Sequence, residues 1–484
     1  MSLHNTQVVP QFTMLTREQC ETIHRASLEV LRRTGVRVYH DEALELLRQT
    51  DAVMIEDGNR VHFQPGLVEW ALAQVSPRIP LCRRGSDEVL APLEGRIVSF
   101  GTGSDTLNYL DPRTGERQRF TSAHVIDCVR VVDAMPELQF TMSMGIPSDL
   151  GANAYREQFA MMLEHTTKPI VFVCDDRSDC EAIVAMASAA AGGIEKLRNS
   201  PSLLLYTEPS SPLRHSETAV GKLLYMAEQC LPIVNSPAPI QGGTAPVTLG
   251  TALVQANAEI LSGLVMHQLK RAGAPIVYGC GMHHLDMKTT ITLFTSPEFV
   301  LARVAVAEMG RFYGMPTWGY AGDVNSCVVD KQAAVEATFS IMASLLAGNN
   351  LTHDIGYVET GLAFSPELIV LCDDIISMLR HFLAGFSLDD DVLDLDIIHQ
   401  VGPDGNFLTS EHTLQNFRQL WRPQLFNRLA YEAWAEAGSK WLGEPLREKT
   451  ISIIEEHQPE PLGDRVRAEI EYILRNGRVS RGTE

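Results

Sequence analysis

The sequence has no Cys-x-x-Cys pair, and its 9 cysteines are odd in number and widely spaced. This pattern argues against a disulfide framework and favours a reduced chain. The segment Met1 to Met14 is polar, so we expect no signal peptide. No apolar run reaches the length of a transmembrane helix, and we therefore expect a soluble, cytoplasmic protein that does not engage a membrane.

Basic residues are also scarce, because 40 Lys and Arg stand against 60 Asp and Glu and give a formal net charge of −20. No basic stripe is present, so nucleic acid is not an expected partner. The sequence has no Walker A motif, no H-E-x-x-H and no G-x-S-x-G, and no G-x-G-x-x-G follows its first strand. These absences argue against nucleotide-binding folds, metalloprotease helices and hydrolase nucleophile elbows.

What the sequence does have is an alternation between short β-rich apolar runs and longer amphipathic segments. The apolar runs are 97–100, 138–142, 169–173, 202–206, 232–236, 275–278, 316–320 and 350–354. The segments with helical character that follow them are 121–135, 154–165, 178–191, 216–230, 249–272, 297–313, 331–346 and 366–383. Eight such units predict an α/β fold of the (β/α)8 TIM-barrel type. A doubly wound open sheet is the alternative.

The barrel pattern divides the chain into three parts. Residues 1–95 form an N-terminal α/β addition, with a capping box at Thr16 to Gln19 and a hairpin that turns at Asp57-Gly58. Residues 96–390 form the catalytic barrel, and residues 391–484 form a C-terminal helical extension. Aromatic residues in this extension are expected to pack against the barrel or against another subunit, which favours a homo-oligomer.

The active site of such a barrel lies at the C-terminal ends of its strands. Aromatic residues collect at these ends, namely Phe100, Tyr109, Tyr206, Tyr278, Trp318, Tyr320 and Tyr357. Aromatic faces beside a carboxylate hold a quaternary ammonium group by cation–π attraction, although the rings could instead only fill the barrel. The same strand ends are rich in glycine, which predicts that a large group can approach the mouth closely.

Metal ligands are a second possibility at the strand ends. Donor side chains occur there at His283, His284, Asp286, Asp323, His353, Asp354, Cys280 and Cys327. They lack the close spacing of known zinc motifs, and adjacent histidines point in different directions. We therefore predict no metal site, and no nucleophile with its base is evident.

Several segments resemble motifs of the trimethylamine methyltransferase family. They are Ser236 to Thr248 (SPAPIQGGTAPVT), Asn257 to Gly263, Asp330 to Ala333 with Glu336, Ala347 to Asn350, Gly402 to Leu408, and Trp421 to Pro423. The resemblance spans nearly the whole chain. It implies a (β/α)8 barrel and transfer of a methyl group to a corrinoid (cobalamin) carried by a cognate partner protein, with no cofactor bound tightly to this chain.

One branch of this family carries pyrrolysine in its active site, and another branch lacks it and includes glycine betaine methyltransferases. Because this sequence contains only standard residues, it resembles the second branch. The resemblance thus implies a methyltransferase acting on glycine betaine or a similar small quaternary amine.

Roles for individual side chains follow from this hypothesis, and no residue is assigned to covalent catalysis. The expected cage for the ammonium group consists of Phe100, Tyr206, Trp318, Tyr320 and Tyr357. Glu208 or Asp323 would balance the positive charge. His353, together with Gln241, would hold the carboxylate of a betaine.

Two other functions remain open from the sequence. A metal-assisted lyase or hydrolase on the same barrel would use His283, Asp323 and His353. A non-catalytic protein that binds betaine would keep the aromatic cage and lack methyl transfer.

Overall fold

The computed structural model describes residues 7–10, 12–389 and 392–476 of the chain. Eight parallel strands close into a barrel, because each pairs with its neighbours and the first also pairs with the last. They are β1 (Ser99–Thr102), β2 (Leu138–Met142), β3 (Ile170–Phe172), β4 (Leu203–Thr207), β5 (Ile233–Asn235), β6 (Ile276–Gly279), β7 (Thr317–Tyr320) and β8 (Leu351–Ile355). The predicted barrel is confirmed, and the open sheet is wrong.

One long helix follows each strand and covers the outside of the barrel. These helices are α1 (Ser122–Ala134), α2 (Ala154–His165), α3 (Arg177–Ala191), α4 (Glu217–Gln229), α5 (Leu249–Lys270), α6 (Pro297–Phe312), α7 (Lys331–Ala347) and α8 (Pro366–Ala384). Side-chain oxygens cap the N-termini of five of them, from Asp176, Ser216, Ser296, Asp330 and Ser365. Each cap satisfies a backbone N–H that has no partner within the helix.

Proline and burial explain where the strands begin and why they are so apolar. Four strands are each preceded directly by a proline that follows a helix, namely Pro169, Pro232, Pro275 and Pro316. Proline at this position stops the helix and favours extended backbone. All five residues of β4 are buried. Such a strand has helices on one face and the barrel interior on the other, so neither face needs polar side chains.

The N-terminal part adds a small α/β layer. Its helices are Arg17–Arg33, Asp41–Arg48 and Pro65–Leu72, and its strands are Val36–Val38, Val53–Glu56, Arg60–Phe63, Ile79–Cys82 and Val89–Leu93. The predicted capping box forms at Thr16. Strand Arg214–His215, from the loop after β4, joins Val36–Val38 in one sheet and so ties this layer to the barrel.

The hairpin of Ile79–Cys82 and Val89–Leu93 closes the N-terminal end of the barrel. Its buried residues Leu81 and Leu93 belong to the same apolar cluster as the interior side chains of the barrel strands. This packing removes apolar surface from water and blocks that end. Small molecules must therefore enter from the opposite end, where the strands finish.

Loops at the C-terminal ends of the strands build two small sheets around the mouth. One contains Asn108–Leu110, Arg117–Arg119, Tyr357–Val358 and Ala363–Phe364, and the other contains Ile240–Gln241, His283–Leu285 and Thr292–Leu293. The first connects the loops after β1 and β8, and the second those after β5 and β6. These hydrogen-bonded loops hold the side chains at the mouth in place.

The C-terminal part carries the helices Leu395–Val401, Glu411–Asn416, Tyr431–Glu436, Gly443–Glu456 and Asp464–Asn476, with one 3-10 turn at Phe417–Gln419. The expected domain boundary at 390/391 lies outside the described residues. Asp374 of α8 accepts N–H groups from Gln424 and Leu425, at 2.9 and 3.0 Å. The carboxylate thereby pairs backbone N–H groups in a segment, 417–430, that forms no α-helix.

Helix α5 is long and apolar enough to span a membrane, which the sequence analysis did not anticipate. In the structure, 72% of its most apolar window is buried against the rest of the protein. It contacts the N-terminal helix Arg17–Arg33 and α4, as a helix of the protein core does.

Candidate active site at the barrel mouth

Four side chains from three strands meet in the interior of the barrel near its open end. The centroid of the His353 ring lies 4.3 Å from that of Trp318 and 4.1 Å from that of Tyr320. Tyr206 lies 5.4 Å from Trp318, and its hydroxyl lies 3.3 Å from that of Tyr320. Alternation along β4, β7 and β8 points these residues inward. The structure thus brings together three of the predicted aromatic residues and the predicted histidine.

Glu208 lies directly beside this cluster. Its carboxylate accepts a hydrogen bond from the Tyr206 hydroxyl. Burial raises the pKa of Glu208, although the Tyr206 hydroxyl and Lys222 oppose the shift. The residue is nevertheless exposed to solvent, so water reaches its side chain.

A second carboxyl, which the sequence analysis did not select, lies near Glu208. Asp105 follows β1 and has a positive φ of 63°. Burial and the proximity of Glu208 raise the pKa of Asp105 to about 7. The neighbouring hydroxyl of Tyr155 lies 3.5 Å from it. This side of the mouth therefore gains negative charge as the pH rises through neutrality.

Asp323 and Asp354 form another carboxyl pair, on the β7–β8 side. Burial, reinforced by the Asp354 carboxyl, raises the pKa of Asp323 to about 8. Burial also raises the pKa of Asp354 well above its usual value, although Arg303 opposes the shift. Two like charges that share a buried site cannot both ionise without a large energetic cost. We therefore expect this pair to be largely protonated at neutral pH.

His353 is neutral and lacks hydrogen-bond partners. Burial and the nearby Arg303 guanidinium lower its pKa well below the usual value. Its Nδ1 atom lies 2.7 Å from Asp354 Oδ1, but the two groups do not meet in hydrogen-bonding geometry. Several polar atoms here are buried without a hydrogen-bond partner in the protein. They are both ring nitrogens of His353, both carboxyl oxygens of Asp354, and Trp318 Nε1. Several unpaired polar atoms in one place raise the free energy of a folded core. They therefore indicate a place where a polar ligand binds.

Arg303 is the functional candidate that sequence reasoning missed. It lies on α6, one helical turn after Phe299, and its guanidinium carbon lies 4.0 Å from the Phe299 ring centroid and 4.1 Å from that of Tyr320. The guanidinium donates to the backbone carbonyls of Cys280 and Met282. A single arginine within an otherwise apolar helical stretch was the available signal, because a buried charge needs such partners.

The structure does not bring the remaining predicted residues into the cluster. Phe100 faces outward, where the Arg380 guanidinium of α8 lies 5.5 Å from its ring centroid. Tyr357 sits at the rim, with its hydroxyl bonded to the backbone of Ser104. Gln241 lies in the small sheet of the mouth and donates to the Val247 carbonyl at 3.3 Å. Phe100 is thus excluded from the cage by the alternation of the strand.

Three glycines at the strand ends lie against aromatic side chains of this chain. A Cβ atom at Gly281 would lie 2.6 Å from the Tyr320 hydroxyl, and one at Gly279 would lie 2.5 Å from Trp318 Cβ. A Cβ at Gly103 would meet the Tyr357 ring. Side chains of this chain already fill these spaces. These three glycines therefore make room for aromatic side chains of this chain.

The metal-site alternative finds no structural support. Among the residues that the structure describes, no three His, Cys, Asp or Glu side chains group as metal ligands. His283 faces Phe294 and Phe299, with ring centroids at 4.7 and 5.5 Å. It therefore lies against an apolar wall and does not join Asp323 and His353 in a donor set.

Asp323 permits a test of this electrostatic description. An aspartate with a raised pKa stabilises the fold fully below its unfolded value of 3.8, and this advantage disappears as the pH rises to about 8. Relative to Asp323→Asn, the wild type should lose at most about 1.4 kcal/mol per pH unit across that window. Thermal unfolding of both proteins over this range measures the difference. Parallel curves would contradict a raised pKa at Asp323.

Comparison with known proteins agrees with the barrel and with the sequence motifs. The sequence model of the family described as trimethylamine methyltransferase matches residues 2–479. Trimethylamine methyltransferase MttB of Desulfitobacterium hafniense is 30% identical over 460 residues, covering 94% of this chain and 92% of that protein. A glycine betaine methyltransferase from the same species is 27% identical over 435 residues, covering 89% and 90%.

A solved structure shows the same fold. The monomethylamine methyltransferase MtmB of Methanosarcina barkeri superimposes with a TM-score of 0.51 at 11% identity, covering 92% of this chain and 89% of that chain. This chain therefore belongs to the trimethylamine methyltransferase family and is a methyltransferase, as the motifs in its sequence predicted.

Proposed function

We propose that this cytoplasmic enzyme takes a methyl group from a small quaternary amine, such as glycine betaine, and transfers it to a corrinoid carried by a partner protein. The observation that supports this most is the group of rings of Tyr206, Trp318 and Tyr320 beside the Glu208 carboxylate. Aromatic rings beside a carboxylate favour a permanently charged ammonium group.

The chemistry of a quaternary nitrogen agrees with the side chains at the mouth. When the bond between nitrogen and methyl carbon breaks, its electron pair stays on nitrogen, which leaves as a neutral tertiary amine. The leaving group therefore needs no proton, and the neutral His353 need not act as a general acid. The bound corrinoid supplies Co(I), the nucleophile that accepts the methyl carbon. The barrel residues have only to orient the N–CH3 bond toward the mouth and exclude water.

The charge distribution suits a cation that loses its charge during the reaction. A very strong fixed negative charge would stabilise the substrate more than the transition state. Glu208 has a raised pKa and shares its charge with the Tyr206 hydroxyl. We infer that this carboxylate attracts the ammonium group moderately, which leaves the barrier for methyl transfer low.

A betaine also has a carboxylate, and the β7–β8 side of the mouth suits it. Neutral His353 can donate one N–H, and Arg303 Nε is buried without a protein partner. Gln241, which the sequence suggested, already donates its amide to Val247. We therefore infer that His353 and Arg303 bind the carboxylate and that Gln241 has a secondary role. Glu208 would then lie at the cationic end of the substrate.

The rim of the mouth suits a docking protein. Large apolar side chains are exposed on the loops after β1, β5, β6, β7 and β8, namely Leu107, Val247, Met287, Ile291, Val328 and Leu362. Exposed apolar surface around an active site indicates a protein partner. A corrinoid held by that partner would face the mouth, and these loops would contact the partner without binding the corrinoid themselves.

Incubation with Co(I)-cobalamin and a panel of methylated amines tests the proposal. The loss of Co(I) absorbance should depend on a quaternary amine, and the matching tertiary amine and the uncharged tert-butyl analogue should give no loss. Tight binding of a betaine with no loss of Co(I) would instead establish the non-catalytic binding protein. Reaction with the tertiary amine would refute the restriction of the substrate to quaternary amines.

A further inference from the structure

Strand β8 has a β-bulge near its C-terminal end. Residues 352–355 of β8 face only residues 100–102 of β1, so β8 has one extra residue over this stretch. The bulge includes Asp354, whose φ of 83° lies in the left-handed region that side chains rarely adopt. Bulges beside active sites redirect side chains, and strained backbone persists there when it positions a functional group.

The bulge places the Asp354 carboxyl group in the wall of the mouth, where the residue is buried. Its Oδ1 atom lies 2.7 Å from Nδ1 of His353. A Cβ atom at Gly103 would lie 2.6 Å from the same oxygen, so the glycine makes room for it. Because both carboxyl oxygens lack a hydrogen-bond partner in the protein, the fold positions this group without using its hydrogen-bonding capacity.

Arg303, whose charge acts on Asp354, is a buried cation without a counter-ion. Its guanidinium donates to the carbonyls of Cys280 and Met282. Among the ion pairs of the part of the chain that the structure describes, none includes Arg303. Burial raises the pKa of Asp323 and of Asp354, so both are largely neutral at pH 7. A buried cation beside neutral carboxyl groups favours an anionic ligand.

The titratable and charged groups around Asp354 come from several parts of the barrel. They are Arg303 on α6, Asp323 after β7, His353 on β8, Tyr357 after β8 and Glu208 after β4. Burial keeps two of them neutral, because it lowers the pKa of His353 and raises that of Tyr357. The charges that act on Asp354 are therefore those of Arg303, of Glu208 and, once it ionises, of Asp323.

We propose that protonated Asp354 donates a hydrogen bond to the carboxylate of a betaine, so that this substrate binds only while the Asp323–Asp354 pair keeps its protons. The inference rests on the proposed function and adds a protonation requirement to it. The carboxylate would contact His353 beside Asp354 and become the counter-ion of Arg303. Ionisation of the pair would remove the donor and add a negative charge that repels the substrate carboxylate and competes for Arg303.

Calorimetric titration of the protein with glycine betaine and γ-butyrobetaine, from about pH 6 to about pH 10, tests the proposal. The Kd should stay constant up to about pH 8, to which the pKa of Asp323 is raised. It should then rise about tenfold per pH unit, because the binding-competent fraction falls by that factor. Buffers of different ionisation enthalpy should show about one proton taken up per betaine at the alkaline end.

The amides of the two betaines are the ligand controls. They keep the ammonium group and the shape but have no carboxylate, so their Kd should not rise with pH. Because the amides also report any titration of Glu208 or Asp105 that acts on the ammonium group, the difference between each betaine and its amide isolates the carboxylate site. A Kd of the betaines that does not change with pH, or an equal rise for the amides, would overturn the proposal.

Variants identify the groups that titrate. Asp323→Asn with Asp354→Asn keeps N–H donors that cannot ionise, and should abolish the alkaline rise in Kd. Asp175→Asn removes an exposed carboxyl after β3 and should keep the wild-type profile. At neutral pH, Asp354→Ala should bind the betaines about tenfold more weakly than Asp354→Asn, because only asparagine can donate. Equal binding by these two variants would contradict the role of Asp354 as a donor.

The outcome is separable from that of the proposed function. If the variants do not fold, which circular dichroism detects, the proton uptake of the wild type and the amide control still decide. Demethylation of a betaine in the Co(I) assay without pH-dependent binding would leave the proposed function standing and refute the proton requirement. Absence of any Co(I) reaction with quaternary amines would refute the proposed function, whereas proton-linked binding of a betaine would still support the site described here.

Discussion

Replacing Glu208 by glutamine is expected to lower kcat/KM for a quaternary amine about 30-fold, which corresponds to about 2 kcal/mol. The Glu208 carboxylate accepts a hydrogen bond from Tyr206, one of the rings of the group. Loss of one partner of a buried charge pair has a cost of about 2–5 kcal/mol, and the low end applies here because water reaches Glu208. Steady-state kinetics with saturating Co(I)-cobalamin measure the change.

An uncharged ligand provides the control for this substitution. The tert-butyl analogue of the amine has the same shape and no charge, so Glu208→Gln should leave its inhibition constant unchanged or lower it. If the variant loses affinity for the cation and for the analogue equally, the effect of Glu208 is steric. The electrostatic role proposed for this carboxylate would then be wrong.

Replacing Trp318 by alanine should raise KM for the amine about tenfold, because one cation–π face contributes about 1–2 kcal/mol in a desolvated site. Trp318 is 1% exposed and packs on His353. The cavity left by its removal should also lower the free energy of unfolding by about 3–5 kcal/mol. Enzyme kinetics and chemical denaturation measure these two effects separately.

Two further variants separate binding from folding. Trp318→Phe keeps a ring in place and should recover most of the affinity and much of the stability. Trp70→Ala, on the helix Pro65–Leu72 and 37% exposed, should lower the free energy of unfolding less than Trp318→Ala does and should leave KM unchanged. An unchanged KM in a folded Trp318→Ala protein would remove Trp318 from the binding site.

The barrel could be predicted from the sequence because its signals are local. Proline before four of the strands and apolar runs of β-rich residues locate all eight strands to within two residues of the observed bounds. The capping box at Thr16 is equally local. Each signal depends on a few neighbouring residues and not on the tertiary structure.

The direction of individual side chains was harder to predict. Tyr206, Trp318 and Tyr320 point into the barrel, whereas Phe100 points outward, since a shift of one residue along a strand reverses the face. Arg303 comes from the helix α6, whereas the barrel pattern points only to residues at the strand ends. The carboxyl pair of Asp323 and Asp354 depends on the closeness of two strands, which no local pattern encodes.

The crystal structure of the protein with a bound quaternary amine is the most direct test of the proposed site. The nitrogen is expected within about 6 Å of the ring centroids of Tyr206, Trp318 and Tyr320, with one methyl group directed toward the open end of the barrel. An amine bound elsewhere, or one whose methyl groups all face the closed end, would contradict it.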